Sequence, residues 1–160
     1  MKILEYDRLS SKLYAKRWAN DRNPAYFNFD RLGGDCTNFV SQCVFSGAKI
    51  MNFDKNNGWY YSSINNRAPA WTGVKFFHDF LTKNKGFGPF GAETNAYNAN
   101  IGDVIFLINN KNEYYHTLFL SDKKGEKLFC SAHTFDAYNR PLESYLYYRA
   151  EFVHILGVNG

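Results

Sequence analysis

The sequence is poor in cysteine, and the few it has are wrongly spaced for a crosslinked or zinc-stapled scaffold. Cys36, Cys43 and Cys130 form an odd set without a C-x-x-C pair, so at least one thiol is free and no disulfide framework or zinc ribbon is encoded. Long apolar runs are also missing. Nowhere do about 18 apolar residues follow one another, which excludes a membrane span. The opening MKILEYDRLSSKLYAKRW has no continuous apolar stretch of the kind a secretion signal carries. The expectation is a chain without span or leader, or a module cut from a longer secreted protein. Charge of one sign is never concentrated: 19 Lys and Arg against 15 Asp and Glu leave a net +4, spread along the chain. Without a basic stripe, nucleic acid is not the expected partner. There is no repeat, low-complexity tract or linker, so one domain over residues 1–160 is expected.

What the sequence does have is aromatic rings, with 12 Tyr, 15 Phe and 3 Trp. Such a chain folds, and it can line a groove with rings. Leu9, Leu13, Tyr14, Arg17 and Trp18 share one helical face and Asn23-Pro24 closes the pattern, so a first helix is expected over about 8–21. Gly33-Gly34-Asp35 leads into CTNFVSQCVFSGA, where Cys36, Val40, Cys43, Val44 and Gly47 recur at helical spacing. A second helix therefore starts at or beside Cys36, with Asp35 as its N-cap. Residues 49–70, rich in Asn and carrying Asn57-Gly58 and Ala68-Pro69, read as a long surface excursion punctuated by Trp59, Tyr60 and Tyr61. A third helix over about 71–84 carries Val74, Phe77 and Leu81 on one face and stops near Lys85-Gly86. Then come short strand-like runs: 103–108, 115–121, 127–133 and 151–156. Helices first, and strands joined by gaps too short for helical crossovers, predict an α+β fold with an antiparallel sheet.

Chemistry points to Cys36. A thiol at a helix N-terminus meets unpaired N–H groups and the positive end of the helix dipole, which favour its thiolate. Cys43, two turns further on beside Val40 and Val44, reads as a small buried hydrophobe. The usual base for such a thiol is histidine. His78, among the aromatics of the third helix, and His154, between Val153 and Ile155, read as structural. His116 opens a strand whose alternation puts Leu118 and Leu120 on its own face, so its ring meets the packed helix if that face is the core side. His133 ends the next strand. Cys130 and His133 have a ligand-like spacing, and Cys36 and His116 would complete a tetrahedron. The second local ligand pair of a zinc site is missing, so no metal is expected.

The stretch GGDCTNFVSQC, Gly33 to Cys43, resembles the signature of the putative amidase domain family within the papain-like superfamily. Tyr6-Asp7-Arg8, Tyr14-Ala15, Trp18 and Asn23-Pro24 resemble its N-terminal helix. Trp71-Thr72-Gly73, Gly102-Asp103, Tyr115-His116-Thr117 and Ser131-Ala132-His133-Thr134 follow in its order. The Asp-Cys pair, the Gly-Asp strand entry and the strand histidine are also similar to the NlpC-type and CHAP cell-wall peptidases. The resemblance implies a papain-like fold with the Cys36 helix packed on an antiparallel sheet. It implies Cys36 as nucleophile, His116 as general base, and a third polar residue on the following strand, best matched by His133 with Asp136 as fallback. The backbone N–H of Cys36 supplies one oxyanion donor, and the second is unassigned. The implied activity is amide or peptide hydrolysis in bacterial peptidoglycan through a thioester, by a monomer without cofactor. Asp35, by its match to the substrate-amine aspartate of the NlpC-type relatives, and Trp59 and Trp71, as stacking rings, are the substrate-binding candidates. Asn38 and Gln42 are polar support for the site. The alternatives are an inactive binding module for glycan or peptide, and a general cysteine peptidase.

Overall fold

Five consecutive apolar residues, Val104 to Ile108, are all buried, and such a run is at home only as a middle strand with both faces of its sheet covered. The computed structural model, which describes residues 1–160, is built around that strand. In chain order the elements are β1 (Ile3–Leu4), α1 (Arg8–Trp18), α2 (Cys36–Ala48), β2 (Tyr61–Ser63), β3 (Asn66–Arg67), α3 (Pro69–Thr72), α4 (Val74–Lys83), β4 (Gly88–Thr94), β5 (Val104–Ile108), β6 (Tyr114–Lys124), β7 (Lys127–Ala132), β8 (Ala137–Pro141) and β9 (Arg149–Asn159), with a 3-10 turn at Leu142–Ser144 before β9. The sheet runs β1-β9-β5-β6-β7-β8, β4 lies along the other edge of β9, and every pairing is antiparallel. The fold is α+β, as the order of elements predicts. No helix is long and apolar enough to cross a membrane.

Strand alternation divides the core in two. Val104, Phe106, Phe119, Val153, Ile155 and Val158 point to the face carrying the helices. Ile105, Leu107, Leu118, Leu120 and Cys130 point to the opposite face, which Leu142, Tyr145 and Tyr147 cover. The axis of the helical layer is α2, in which only Phe45 and Ser46 escape full burial. It ends at Lys49, whose left-handed backbone (φ +62°) turns its N–H back to the Phe45 carbonyl.

Several expectations need correction. In α1 the inward positions are Ser11 and Ala15, while Leu9 and Leu13 are exposed. Small residues let α1 approach α2 closely, and the larger leucines cannot fit that seam. The third helix is two, α3 and α4, separated where Gly73 is extended (φ −109°, ψ 128°). The segment 49–70 is not merely a surface excursion: Asn52 and Trp59 form a β-bridge, and the Trp59 ring is buried against Trp71, Phe77 and Phe80. Strands β4 and β8 were not expected. Gly88-Pro89-Phe90-Gly91-Ala92 has little strand propensity, but Gly91 lets β4 close on β9, since a Cβ there would sit 2.5 Å from the His154 carbonyl.

The same kind of close approach occurs in α2, where a Cβ on Gly47 would lie 2.5 Å from the Asp7 carbonyl and 2.6 Å from the Tyr6 ring. Gly47→Ala is therefore expected to cost about 1–3 kcal/mol through overpacking, read as a lower urea midpoint with unchanged slope. An unaltered midpoint would show that the segment before α1 moves aside freely.

Candidate active site

Gly33 (φ +85°) and Gly34 (φ +99°) occupy the left-handed region that favours glycine. They turn the chain so that Asp35 points into the protein. Its side chain does not cap α2. One carboxylate oxygen accepts from the Phe29 N–H (2.8 Å) and from Asn38 Nδ2 (2.9 Å). The other faces His133 Nδ1 at 2.5 Å and Arg22 Nε at 3.5 Å. The His133 ring donates through Nε2 to the Trp18 carbonyl (2.8 Å) and stacks on Phe39, centroids 4.1 Å apart. Both ring nitrogens are thus engaged, and Asp35 and His133 form a buried hydrogen-bonded pair.

The network continues inward. Trp71 Nε1 donates to Asn38 Oδ1 (3.0 Å), Trp59 Nε1 donates to Ser41 Oγ (3.0 Å), and Ser41 donates to the Trp71 carbonyl (3.0 Å). Asp35, Trp59 and Trp71, expected to bind substrate, are all wholly enclosed. The two indoles pack against one another at a tilt of 36° with their only donors engaged, and the carboxylate is consumed by internal partners. They form the mount of the helix and present no surface to a substrate. His133 is likewise turned away from the role of orienting His116. The fallback, Asp136, pairs with Arg22 (2.8 Å), which also holds Asp30 (2.9 Å). Gln42 accepts from the Tyr14 hydroxyl, tying α2 to α1.

Cys36 is the first residue of α2, and its buried sulfur faces the backbone N–H of Thr117, with the Thr37 hydroxyl 3.8 Å away. Burial raises its pKa, and the N–H groups of Thr117 and Thr37 offset this only in part. The resting group is therefore the thiol. Cys43 is fully buried and its pKa is raised further, as its position two turns from the dipole end suggests.

Thr117 bonds the Thr37 hydroxyl at 2.8 Å and therefore faces α2. By alternation His116 and Leu118 face the other way, and the His116 ring lies 6.0 Å from that of Tyr145. The face shared with Leu118 and Leu120 is not the helix side, so the predicted direct aim of His116 at the helix is corrected. The Cys36 sulfur instead adjoins the peptide bond linking His116 to Thr117, and thiol and imidazole form no hydrogen bond. Burial, with the nearby Arg140 cation, lowers the His116 pKa to about 4, so the ring is neutral above that value.

The Gly102-Asp103 strand entry is structural. Asp103 is buried, bonded to Arg8 (2.8 Å), His154 Nδ1 (2.8 Å) and the N–H groups of Asn100 and Ile155. Cys36, His116, Cys130 and His133 do not converge as metal ligands; the one group of three ligand-type side chains within mutual reach is His78, Glu93 and Glu151. A cleft of about 980 Å³ is lined by Asn52, Phe53, Phe76, Phe80 and Phe87 among others and includes neither Cys36 nor His116.

A family model described as "Putative amidase domain" matches residues 5–156. The chain belongs to the putative amidase domain family. Its similarity extends to an uncharacterized protein, YhbB, of Bacillus subtilis (strain 168), 31% identical over 140 residues. The match covers 85% of this chain and 44% of the relative, so the chain spans under half the length of that protein. No solved structure matches. Family membership suggests an amidase-like hydrolase.

Removing the imidazole takes away the nearest partner of a buried Asp35 oxygen and leaves it only Arg22 Nε at 3.5 Å. His133→Ala is expected to cost about 3–5 kcal/mol, measured by chemical denaturation. A loss under about 1 kcal/mol would mean that the pair is solvated and does not hold α2.

Proposed function

We propose that the chain is a papain-like cysteine amidase, with Cys36 as nucleophile and His116 as its proton-transfer partner, cleaving amide bonds in bacterial peptidoglycan. The observation that carries this reading is the Cys36 thiol at the start of α2, set against the His116–Thr117 peptide. Family membership supports amide hydrolysis. The first N–H groups of α2 receive no cap from Asp35, and that of Cys36 is the donor for an oxyanion.

The resting state is thiol and neutral imidazole. For catalysis the His116 side chain must swing from the opposite face of β6 to the sulfur when substrate binds, a larger movement than the tightening of an existing hydrogen bond. His116 takes the thiol proton as sulfur attacks the carbonyl carbon, and the C=O bond becomes an oxyanion. The imidazolium then protonates the leaving amine, the C–N bond breaks and a thioester remains. Water gives a proton to His116 and its oxygen to the acyl carbon, releasing the acid and restoring the thiol. The cell-wall substrate rests on the likeness of the Asp-Cys, Gly-Asp and strand-histidine motifs to those of cell-wall peptidases, with the net charge of +4 in its favour. The rings open to such a substrate are Tyr115, beside His116, and Phe135, next to Thr134, whose hydroxyl lies at Gly34.

One observation favours a second reading. A buried thiol without a histidine hydrogen bond also fits a papain-like module that binds glycan or peptide without cleaving it. Digestion of purified muropeptides and ordinary peptides, followed by mass spectrometry, separates the readings. Cys36→Ala is expected to abolish cleavage and Cys43→Ala to spare it. A Cys36 variant as active as the parent protein would end the proposal, and intact substrates with an unreactive Cys36 would favour the binding module.

The pH profile tests His116 separately. Its basic form persists down to about pH 4, so kcat/KM is expected to fall only near there rather than at the ordinary imidazole value of about 6.5. Removing the Arg140 cation favours the imidazolium, so Arg140→Met should move that limb to higher pH. A limb unmoved by Arg140→Met would exclude His116 as the titrating base.

A further inference from the structure

We propose that His78, Glu93 and Glu151 form a binding site for one first-row divalent cation of the Zn²⁺ or Mn²⁺ type, on the β4 side of the sheet. The three come from separate elements: His78 from α4, Glu93 from β4 and Glu151 from β9. Glu93 lies opposite Val153, so Glu151 is its diagonal neighbour two residues along the partner strand. The helix lays His78 over the pair with its ring edge-on to Phe106.

His78 Nδ1 is 3.1 Å from Asp79 Oδ1, and Nε2 is 2.9 Å from both Glu93 Oε1 and Glu151 Oε2. A hydrogen on Nδ1 serves Asp79. A hydrogen on Nε2 can point at only one of two carboxylate oxygens, and the one in line is Glu93 Oε1. Glu151 Oε2 is buried and has no hydrogen-bond donor although the nitrogen is so near. Its other oxygen is already served by the Tyr114 hydroxyl (2.7 Å) and by Arg149 (2.6 Å). A buried carboxylate oxygen without a donor calls for an ion or a water.

A cation resolves the shortage, because it draws on the Nε2 lone pair and both carboxylates together. The 2.9 Å edges match the separation of about 3 Å between neighbouring ligands at right angles around an ion with bonds of about 2.1 Å. One imidazole with two carboxylates suits Zn²⁺ or Mn²⁺ better than the all-oxygen preference of Ca²⁺ or Mg²⁺. Asp79 fixes the tautomer that leaves Nε2 free, the usual carboxylate–histidine–metal arrangement. Lys75 and Lys83 face Asp79, at 2.8 and 3.6 Å. The Glu93 side chain is 58% exposed, which opens the site to an entering ion. Phe106 separates Glu151 from Thr117 in the register, two strand spacings or roughly 10 Å, so the ion is apart from the Cys36 chemistry. It clamps α4 onto β4 and β9.

The test is Mn²⁺ titration of the metal-free full chain, read by electron paramagnetic resonance, since Mn²⁺ avoids the buried thiols. The expected result is one ion per chain with nitrogen modulation from a bound imidazole. That modulation should vanish in His78→Gln, and affinity should fall at least about tenfold in Glu93→Gln. The Glu93 variant keeps the result interpretable if His78→Gln fails to fold. Absence of both Mn²⁺ and Zn²⁺ binding at millimolar concentration, or affinity unchanged in Glu93→Gln, overturns the proposal.

Discussion

A carboxylate taken out of water must be paid for by several partners at once, and the buried charge of Asp35 sets the conditions that the rest of the site obeys. Its acceptors are filled by the Phe29 N–H before α2, by Asn38 within it and by His133 after β7. Three stretches of chain far apart in sequence can satisfy it only in one mutual arrangement. The place of Cys36 follows, because the residue after Asp35 has nowhere to go but the end of α2 beside β6. The dyad-like neighbourhood of Cys36 and the His116–Thr117 peptide is thus a by-product of solvating one anion with protein.

The sheet imposes a second constraint. Because successive side chains alternate, Thr117 and His116 cannot both face α2, and the hydrogen bond between Thr37 and Thr117 assigns the helix side to the threonine. His116 is left under the aromatic cover of the opposite face, where burial and Arg140 keep it neutral. The neutral imidazole and the protonated thiol thus lie on opposite faces of β6 and form no hydrogen bond. The proposed hydrolysis would therefore draw its reactivity from the substrate complex and not from a preformed thiolate–imidazolium pair.

Local signals were readable where local physics decides the outcome. The glycine pair, Asp35 and the helical spacing after Cys36 place the start of α2 at or beside Cys36, where it is found, and the apolar run at 104–108 is a strand in the middle of the sheet. The roles of Trp59, Trp71 and Asp35 were not readable, since an indole or carboxylate looks the same in sequence whether it meets a ligand or another part of its own fold. Only the contacts of Ser41, Asn38 and His133 distinguish the two. The orientation of His116 depends on which of two apolar faces the helices choose, and both faces of β6 carry hydrophobic residues. The His78 cluster was invisible for a simpler reason: Glu93 and Glu151 lie 15 and 73 positions after His78 along the chain, with no spacing that marks a ligand set.

The placement of β9 bears on how the molecule reaches this state. Arg149–Asn159 pairs with β5 and β1 on one edge and β4 on the other, so the last strand in chain order joins the earliest ones to the middle of the sheet. Loops of well over a hundred residues close when β1 meets β9, and such distant pairings carry a large entropic toll before any reward. During synthesis α2 and α4, each with an apolar inner face, emerge while the strand that completes their platform is still unmade. The nascent chain is consequently exposed to aggregation and proteases until its final strand is translated.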